Sequence, residues 1–381
     1  MRALPIKVLD RYLFSQMFAV VAFGVLMFTI IWLAPEKLFK WINAMFTGTA
    51  SISQVGMLFL LELPATLQQS IPLAVLFSAI FLFRRFSLNG ELIAMLSHGV
   101  TPQRVLLPIL SVGILWAGVH ALFQEAITPW SNPLKDRLSQ GLGITKPKDE
   151  NFTFVERDAS GGIEKFLVIG QVQHYRQGGW LQDFIVLYYR PFSQSGTRLS
   201  RIVRAKYGRW NPAVGAWQLW NGVGYGMDTE GVYRDVQDFR QTWVTTSPKP
   251  NQLLRVSRVR PLDMNFLSLN KYLSLLKEGG QLQDVSFYTA RLYQKLTLPV
   301  ASVVFAVLGA LLGMERARAS KHYSLTMGVF LLLVYSVTVP FSNNLAGLSL
   351  LPAWLVAWIP LLIVSGLGLI FIRFKEGLLR G

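Results

Sequence analysis

The sequence contains no cysteine. That excludes a disulfide framework and a thiolate-ligated zinc site, and it removes redox chemistry as a guide to compartment. Charge is scarce as well. Only 15% of residues are Asp, Glu, Lys or Arg, where a soluble globular chain carries about a quarter. No Gly-Lys dipeptide occurs, so a G-x-x-x-x-G-K-[ST] phosphate cradle is missing. Any work against a gradient must therefore draw its energy from another chain. There is no G-x-S-x-G elbow. The histidines at 98, 120, 174 and 322 are scattered, with no His-Glu-x-x-His and no i, i+4 pair, which argues against a metal site. No acid, base and nucleophile cluster together, so no catalytic residue and no bound cofactor are expected.

What the chain does have is apolar length. Of 381 residues, 52% are hydrophobic. Six runs are long enough to cross a bilayer, which takes about 20 residues each. They are Leu13–Ala34, a run within Val55–Phe83, Val105–Phe123, Leu296–Met314, Tyr323–Phe341 and Pro352–Ile372. Prolines at 64, 72, 108, 299, 340 and 360 would disfavour long soluble helices but are tolerated in membrane ones. The first run is too long for a signal-peptide core, and Pro35 stands where a cleavage site needs a small residue, so a retained span is expected. Glu62 is nearly the only carboxylate inside the runs, and it reads as an interfacial residue rather than a proton relay.

Net charge is +16, which in so apolar a chain points to membrane lipids and cytoplasmic loops rather than to nucleic acid. The basic residues are placed unevenly. One side has Arg2, Lys7 and Arg11, then Arg84, Arg85 and Arg104, then Arg316, Arg318 and Lys321, and finally Arg373, Lys375 and Arg380. The short loops of the other side hold only Lys37 and Lys40. The positive-inside rule makes both termini cytoplasmic and the long insert after the third span external.

The insert, from Glu125 to Arg291, changes character. Period-two alternation between turn signals runs through KFLVIGQV, DFIVLYY, TRLSRIVRAKYGRW and WQLWNGVGYGM, which reads as an antiparallel all-β domain of sandwich or jelly-roll type. In RLSRIVRAKY neither face is fully apolar, suggesting an edge or open-sheet strand. Pro261–Asp284 looks helical and leads back to the membrane. The expected division is 1–124 for three spans and a short helix near 89–98, 125–260 for the β domain, and 261–381 for a connecting helix and three more spans.

Between the second and third runs lies FRRFSLNGELIAMLSHGVTPQR. Asn89 can cap a helix, Glu91 suits its first turn, Gly99 can close it, and Thr101-Pro102 can start the next span. The spacing predicts a helix of about nine residues, roughly 13 Å long, with Leu92, Met95 and Leu96 as an apolar stripe beside Glu91. It can be a connector resting on the bilayer, or a peg on which a cytoplasmic ATPase docks.

The stretch PATLQQSIPLAVLFSAIFLFRRFSLNGELIAMLSHGVTPQRVLLPIL, together with VLDRYLF, WQLWNG and RLYQKLTLPVASVVFAVLGALLG, resembles the LptF/LptG (YjgP/YjgQ) permeases of lipopolysaccharide export. The LDRY motif leans towards the LptG branch. The resemblance implies six transmembrane helices with a periplasmic β-jelly-roll domain between helices 3 and 4, in the bacterial inner membrane. It implies a second permease of this type (or a second copy of this chain), an LptB-like ATPase dimer that binds the ATP, and an LptC/LptA-like periplasmic bridge. Glu91 matches the coupling-helix glutamate of the family, with Leu92, Met95 and Leu96 beside it as the ATPase contact. Lys37 and Lys40 fall where basic residues meet the phosphates of lipopolysaccharide; snorkelling to head groups would also explain them. The alternative to transport is a membrane-anchored receptor or assembly scaffold with an external β domain.

Overall fold

A computed structural model describes residues 8–33, 37–145, 152–158, 162–171, 181–193, 196–211, 213–228, 232–246, 261–278, 282–314 and 323–378. Arg2, Lys7, Arg316, Arg318, Lys321 and Arg380, on which the orientation argument leans, lie outside them. So does the Gln-Gly-Gly turn expected after Val172. Two compact units emerge, Met1–Thr145 with Thr289–Gly381, and Lys146–Tyr288.

The first unit is helical. Its elements are α1 (Val8–Leu33), α2 (Phe39–Phe46), α3 (Ile52–Leu88), α4 (Glu91–Ser97), α5 (Pro102–Leu122) and α6 (Thr128–Gly141). After the insert come α8 (Leu282–Gly313, of which the part from Thr289 belongs to this unit), α9 (Tyr323–Gly347) and α10 (Ala353–Leu378). Among the described residues, six helices are long and apolar enough to span a membrane, as the six runs predicted. The third does not stop where its apolar run ends. A π-turn at Phe123–Ile127 joins α5 to α6, and the chain stays helical to Gly141. Widened turns of this kind mark local adjustment inside a helix. Here it lets Gln124 turn inward and donate to the backbone carbonyl of Lys295 at 2.8 Å.

The second-span helix α3 is the most deeply buried of the six. It opens on a capping box, in which Ser51 Oγ accepts from the Gln54 N–H and Gln54 Oε1 accepts from the Ser51 N–H. At 37 residues its length is about 55 Å, more than the roughly 30 Å of a bilayer's hydrocarbon core. Neighbours reach it through small residues. A Cβ built on Gly309 would lie 2.6 Å from the Leu76 carbonyl, and one on Gly313 equally close to that of Ile80. This is the backbone contact that a G-x-x-x-G spacing permits. On the other side Gly24 of α1 faces Ser78, whose hydroxyl donates to the Val20 carbonyl at 3.1 Å.

Among the described residues the second unit holds one antiparallel sheet, β1 (Phe152–Arg157), β2 (Ile163–Gln171), β3 (Leu181–Ser193), β4 (Gly196–Asn211), β5 (Ala216–Met227) and β6 (Tyr233–Thr245), paired in chain order. A helix, α7 (Phe266–Glu278), follows within the stretch read as helical. Strand β4 is interior, paired with both β3 and β5, which corrects the edge reading. The reason is a crease. Asp183 and Asn221 take positive φ, 53° and 52°, and the register sets Asp183, Lys206 and Asn221 opposite one another across β3, β4 and β5. Matched irregularities shift the alternation by one on each strand. The buried set on β4 passes from Val203 and Ala205 to Gly208 and Trp210, so a sequence that looks mixed under strict alternation keeps one apolar face. That face is filled by Phe154, Leu167, Ile169, Phe184, Val186, Leu219 and Trp217. The rings of Phe184 and Trp210 lie 5.2 and 5.3 Å from that of Trp217.

Candidate functional site

Two places gather the singled-out residues, one at each end of α1. At the end where α1 begins, α3 closes with Asn89 as its C-cap. The cap of α4 is Gly90, at φ 75°, rather than Asn89, so the helix is seven residues long and starts at Glu91 itself. Gly99, at φ 82°, ends the segment. The Thr101 side chain then accepts from the Arg104 N–H, with Pro102 in the first turn of α5.

The apolar stripe of α4 is divided. Leu92 is 5% exposed, in a cluster with Leu13, Met17, Phe86 and Val105, and Met95 packs against the same cluster. Leu96 and Ile93, the latter not singled out in the sequence, are exposed at 39% and 51%. Leu92 and Met95 thus seat the helix on its own bundle, while Ile93 and Leu96 face away. Glu91 does not stand alone. Its Oε2 accepts from the Tyr12 hydroxyl at 2.8 Å, and its Oε1 from the Asn89 side-chain amide at 3.3 Å. The Tyr12 ring leans on Phe86, centroids 5.9 Å apart. Close by in sequence, Asp10 of α1 pairs with Arg104 of α5.

At the far end Glu62 is buried within the protein. Its side chain is 2% exposed and carries two lysines. Lys37, just before α2, pairs with Oε1, and Lys135 of α6 lies 2.8 Å from Oε2. Lys135 also donates to Asn132 Oδ1 at 3.2 Å. A buried carboxylate needs such partners, since an unpaired charge out of water costs several kcal/mol (about). The trio leaves one positive charge in excess. Lys37 is 37% exposed and Lys135 16%, so the ammonium nearer to solvent is that of Lys37. Lys40 is exposed on α2, whose Trp41 and Ala44 are buried and whose Phe39 and Phe46 stand outward. Apolar side chains and a lysine on the outward side of a short helix suit the head-group boundary of a bilayer. No local pattern could have announced Lys135, because 73 residues separate it from Glu62.

The comparisons with known proteins agree with this architecture. The family described as "Lipopolysaccharide export system permease LptF/LptG" matches residues 11–374. The LptG permease of Escherichia coli strain K12 is 21% identical over 322 residues, 80% of this chain and 80% of that protein. LptG of Escherichia coli O6:H1 strain CFT073 matches at the same identity and coverage. The likeness to LptG gives weak support to that branch. With the match covering nearly all of the helical bundle and the sheet, the chain belongs to the LptF/LptG family of lipopolysaccharide export permeases.

Proposed function

We propose that this protein is one half of an ATP-driven exporter that extracts lipopolysaccharide from the inner membrane and passes it to a periplasmic bridge. The observation that carries the reading is the extent of the family match, residues 11–374, which takes in α4, the charged end of α3 and the sheet together. The bias of basic residues puts α4 and both termini in the cytoplasm and the sheet in the periplasm. An LptB-like ATPase dimer docks on α4 through Glu91, Ile93 and Leu96. A second permease of the same family completes the cavity that lipid enters. The apolar face of the sheet receives acyl chains and hands them to an LptC/LptA-like domain. The protein itself hydrolyses nothing and needs no cofactor of its own.

At the rim, Lys37 and Lys40 meet the phosphates of the arriving lipid. Ammonium–phosphate contacts are charge-assisted, and Lys37 can leave Glu62 without stranding that carboxylate, because Lys135 remains on its other oxygen. Changing both Lys37 and Lys40 to Glu is expected to weaken photocrosslinking to lipopolysaccharide and to slow transport, with the ATPase still bound. Lys40→Ala alone is expected to change little, since a wet rim is screened by salt. Normal transport by the double variant would mean that the phosphates are read elsewhere.

A further inference from the structure

We propose that Tyr12 is a positioning residue. Its hydroxyl ties α4 to α1, so that α1 carries the movement of the ATPase to the charged rim. The proposal rests on the docking role of α4 set out above.

Four observations carry it. First, no side chain among the described residues packs at either joint of α4. Gly90 and Gly99, both left-handed, flank it, and a Cβ built on either would meet nothing within 4 Å. The left-handed turns suit glycine, and they bring no side-chain contact to the bundle. Second, side chains therefore set the angle of the helix. Leu92 is sunk among Leu13 and Phe86, and the Tyr12 hydroxyl is hydrogen-bonded to Glu91 from a position 79 residues away. A carboxylate has about four lone-pair sites. The Tyr12 and Asn89 donors thus leave room for a cation from a docked partner, which would pull on Tyr12 through the same group.

Third, α1 is suited to transmit. It is a continuous helix of 26 residues with no proline, whereas α3, α5, α8, α9 and α10 each contain at least one. Proline removes an intrahelical bond and introduces bends, and α1 has none over its length of about 39 Å. Its start is gripped at two points, by Glu91 through Tyr12 and by Arg104 through Asp10. Fourth, its far end leads within a few residues to Lys37, the more exposed of the two lysines on Glu62. Lys37 is the first described charge beyond α1, and it pairs with Glu62 of α3.

The test is Tyr12→Phe in the complete complex, assembled with the partner permease and the ATPase in vesicles containing lipopolysaccharide. Phenylalanine keeps the ring against Phe86 and deletes only the hydroxyl. The expected result is normal ATPase binding and ATP turnover, with lipopolysaccharide released per ATP lowered by roughly threefold or more, the lower part of the range for one lost hydrogen bond. Adding Glu91→Ala is expected to lower that ratio no further than Glu91→Ala does alone, because either change removes the same hydrogen bond. A purely structural role would reduce the amount of folded protein and leave the ratio unchanged. A wild-type ratio in Tyr12→Phe, multiplying losses in the double variant, or failure of Tyr12→Phe to bind the ATPase would each overturn the proposal. Absence of any ATP-dependent release by the unaltered chain would instead sink the transport reading on which it rests.

Discussion

Replacing Glu91 with lysine is expected to abolish ATP-driven release of lipopolysaccharide and to weaken or break capture of the ATPase. Two effects add. The new ammonium faces whatever cation the ATPase offers to the carboxylate, and like charges in contact repel. The lysine has no oxygen to accept from Tyr12, whose hydroxyl and that of no other residue reaches Glu91 at 2.8 Å among the described contacts. Glu91→Ala removes the attraction without adding repulsion, and a rim ion pair is worth only about 0.2–1 kcal/mol, so that variant is expected to keep the ATPase and lose part of its coupling. Affinity purification of the complex, followed by ATPase and lipid-release assays on the same sample, separates the two. Normal assembly and release in the lysine variant would leave α4 as a mere connector.

The second large effect belongs to Glu62. Glu62→Ala leaves Lys135, 16% exposed, and Lys37 without their shared carboxylate. Breaking a buried ion pair from one side costs about 3–5 kcal/mol, mostly through the charge left unpaired. Lys37 is 37% exposed and can turn to water, so roughly the lower half of that range is expected. The measurement is the midpoint of heat-induced aggregation in detergent, which is expected to fall by several degrees. Combining Glu62→Ala with Lys135→Met removes both buried charges and is expected to recover most of the loss. A single variant as stable as the unaltered chain would show that water reaches the trio freely and that it does not hold α3 to α6.

Much of this architecture was legible before the structure. Apolar runs of spanning length marked all six long helices, because burial in lipid demands continuous apolar sequence and satisfied backbone groups. Four strands followed from alternation. Strands β1 and β6 did not, since β6 carries Arg234, Asp235, Asp238 and Arg240 and is exposed on both faces for most of its length. The crease through Asp183, Lys206 and Asn221 also escaped, because a one-residue shift destroys the period that the eye follows. Local chemistry found Glu91 and the glycine stop at 99. It misplaced the cap by one residue, as Gly90 in the left-handed region starts α4 and Asn89 ends α3.

What the sequence could not show were the partners made by folding. Glu62 with Lys37 and Lys135, Glu91 with Tyr12, and Asp10 with Arg104 are each separated by 25 residues or more. Composition fixes the number of such charges, and only the packing of α1, α3, α5 and α6 decides which of them meet. The division of the α4 stripe is of the same kind. Leu92, Met95 and Leu96 look alike by spacing, yet the first two face the bundle and the third does not.

The central claim is that this chain moves lipopolysaccharide at the expense of ATP hydrolysed by another subunit. The direct measurement is reconstitution of the chain with its partner permease and ATPase in vesicles loaded with lipopolysaccharide, scored by photocrosslinking of the lipid to a soluble periplasmic acceptor. The account predicts transfer to the acceptor that needs ATP, needs the ATPase, and is lost when Glu91 is changed to lysine. Transfer that proceeds equally without ATP, or none under any condition from a complex that hydrolyses ATP and holds all its subunits, would contradict it.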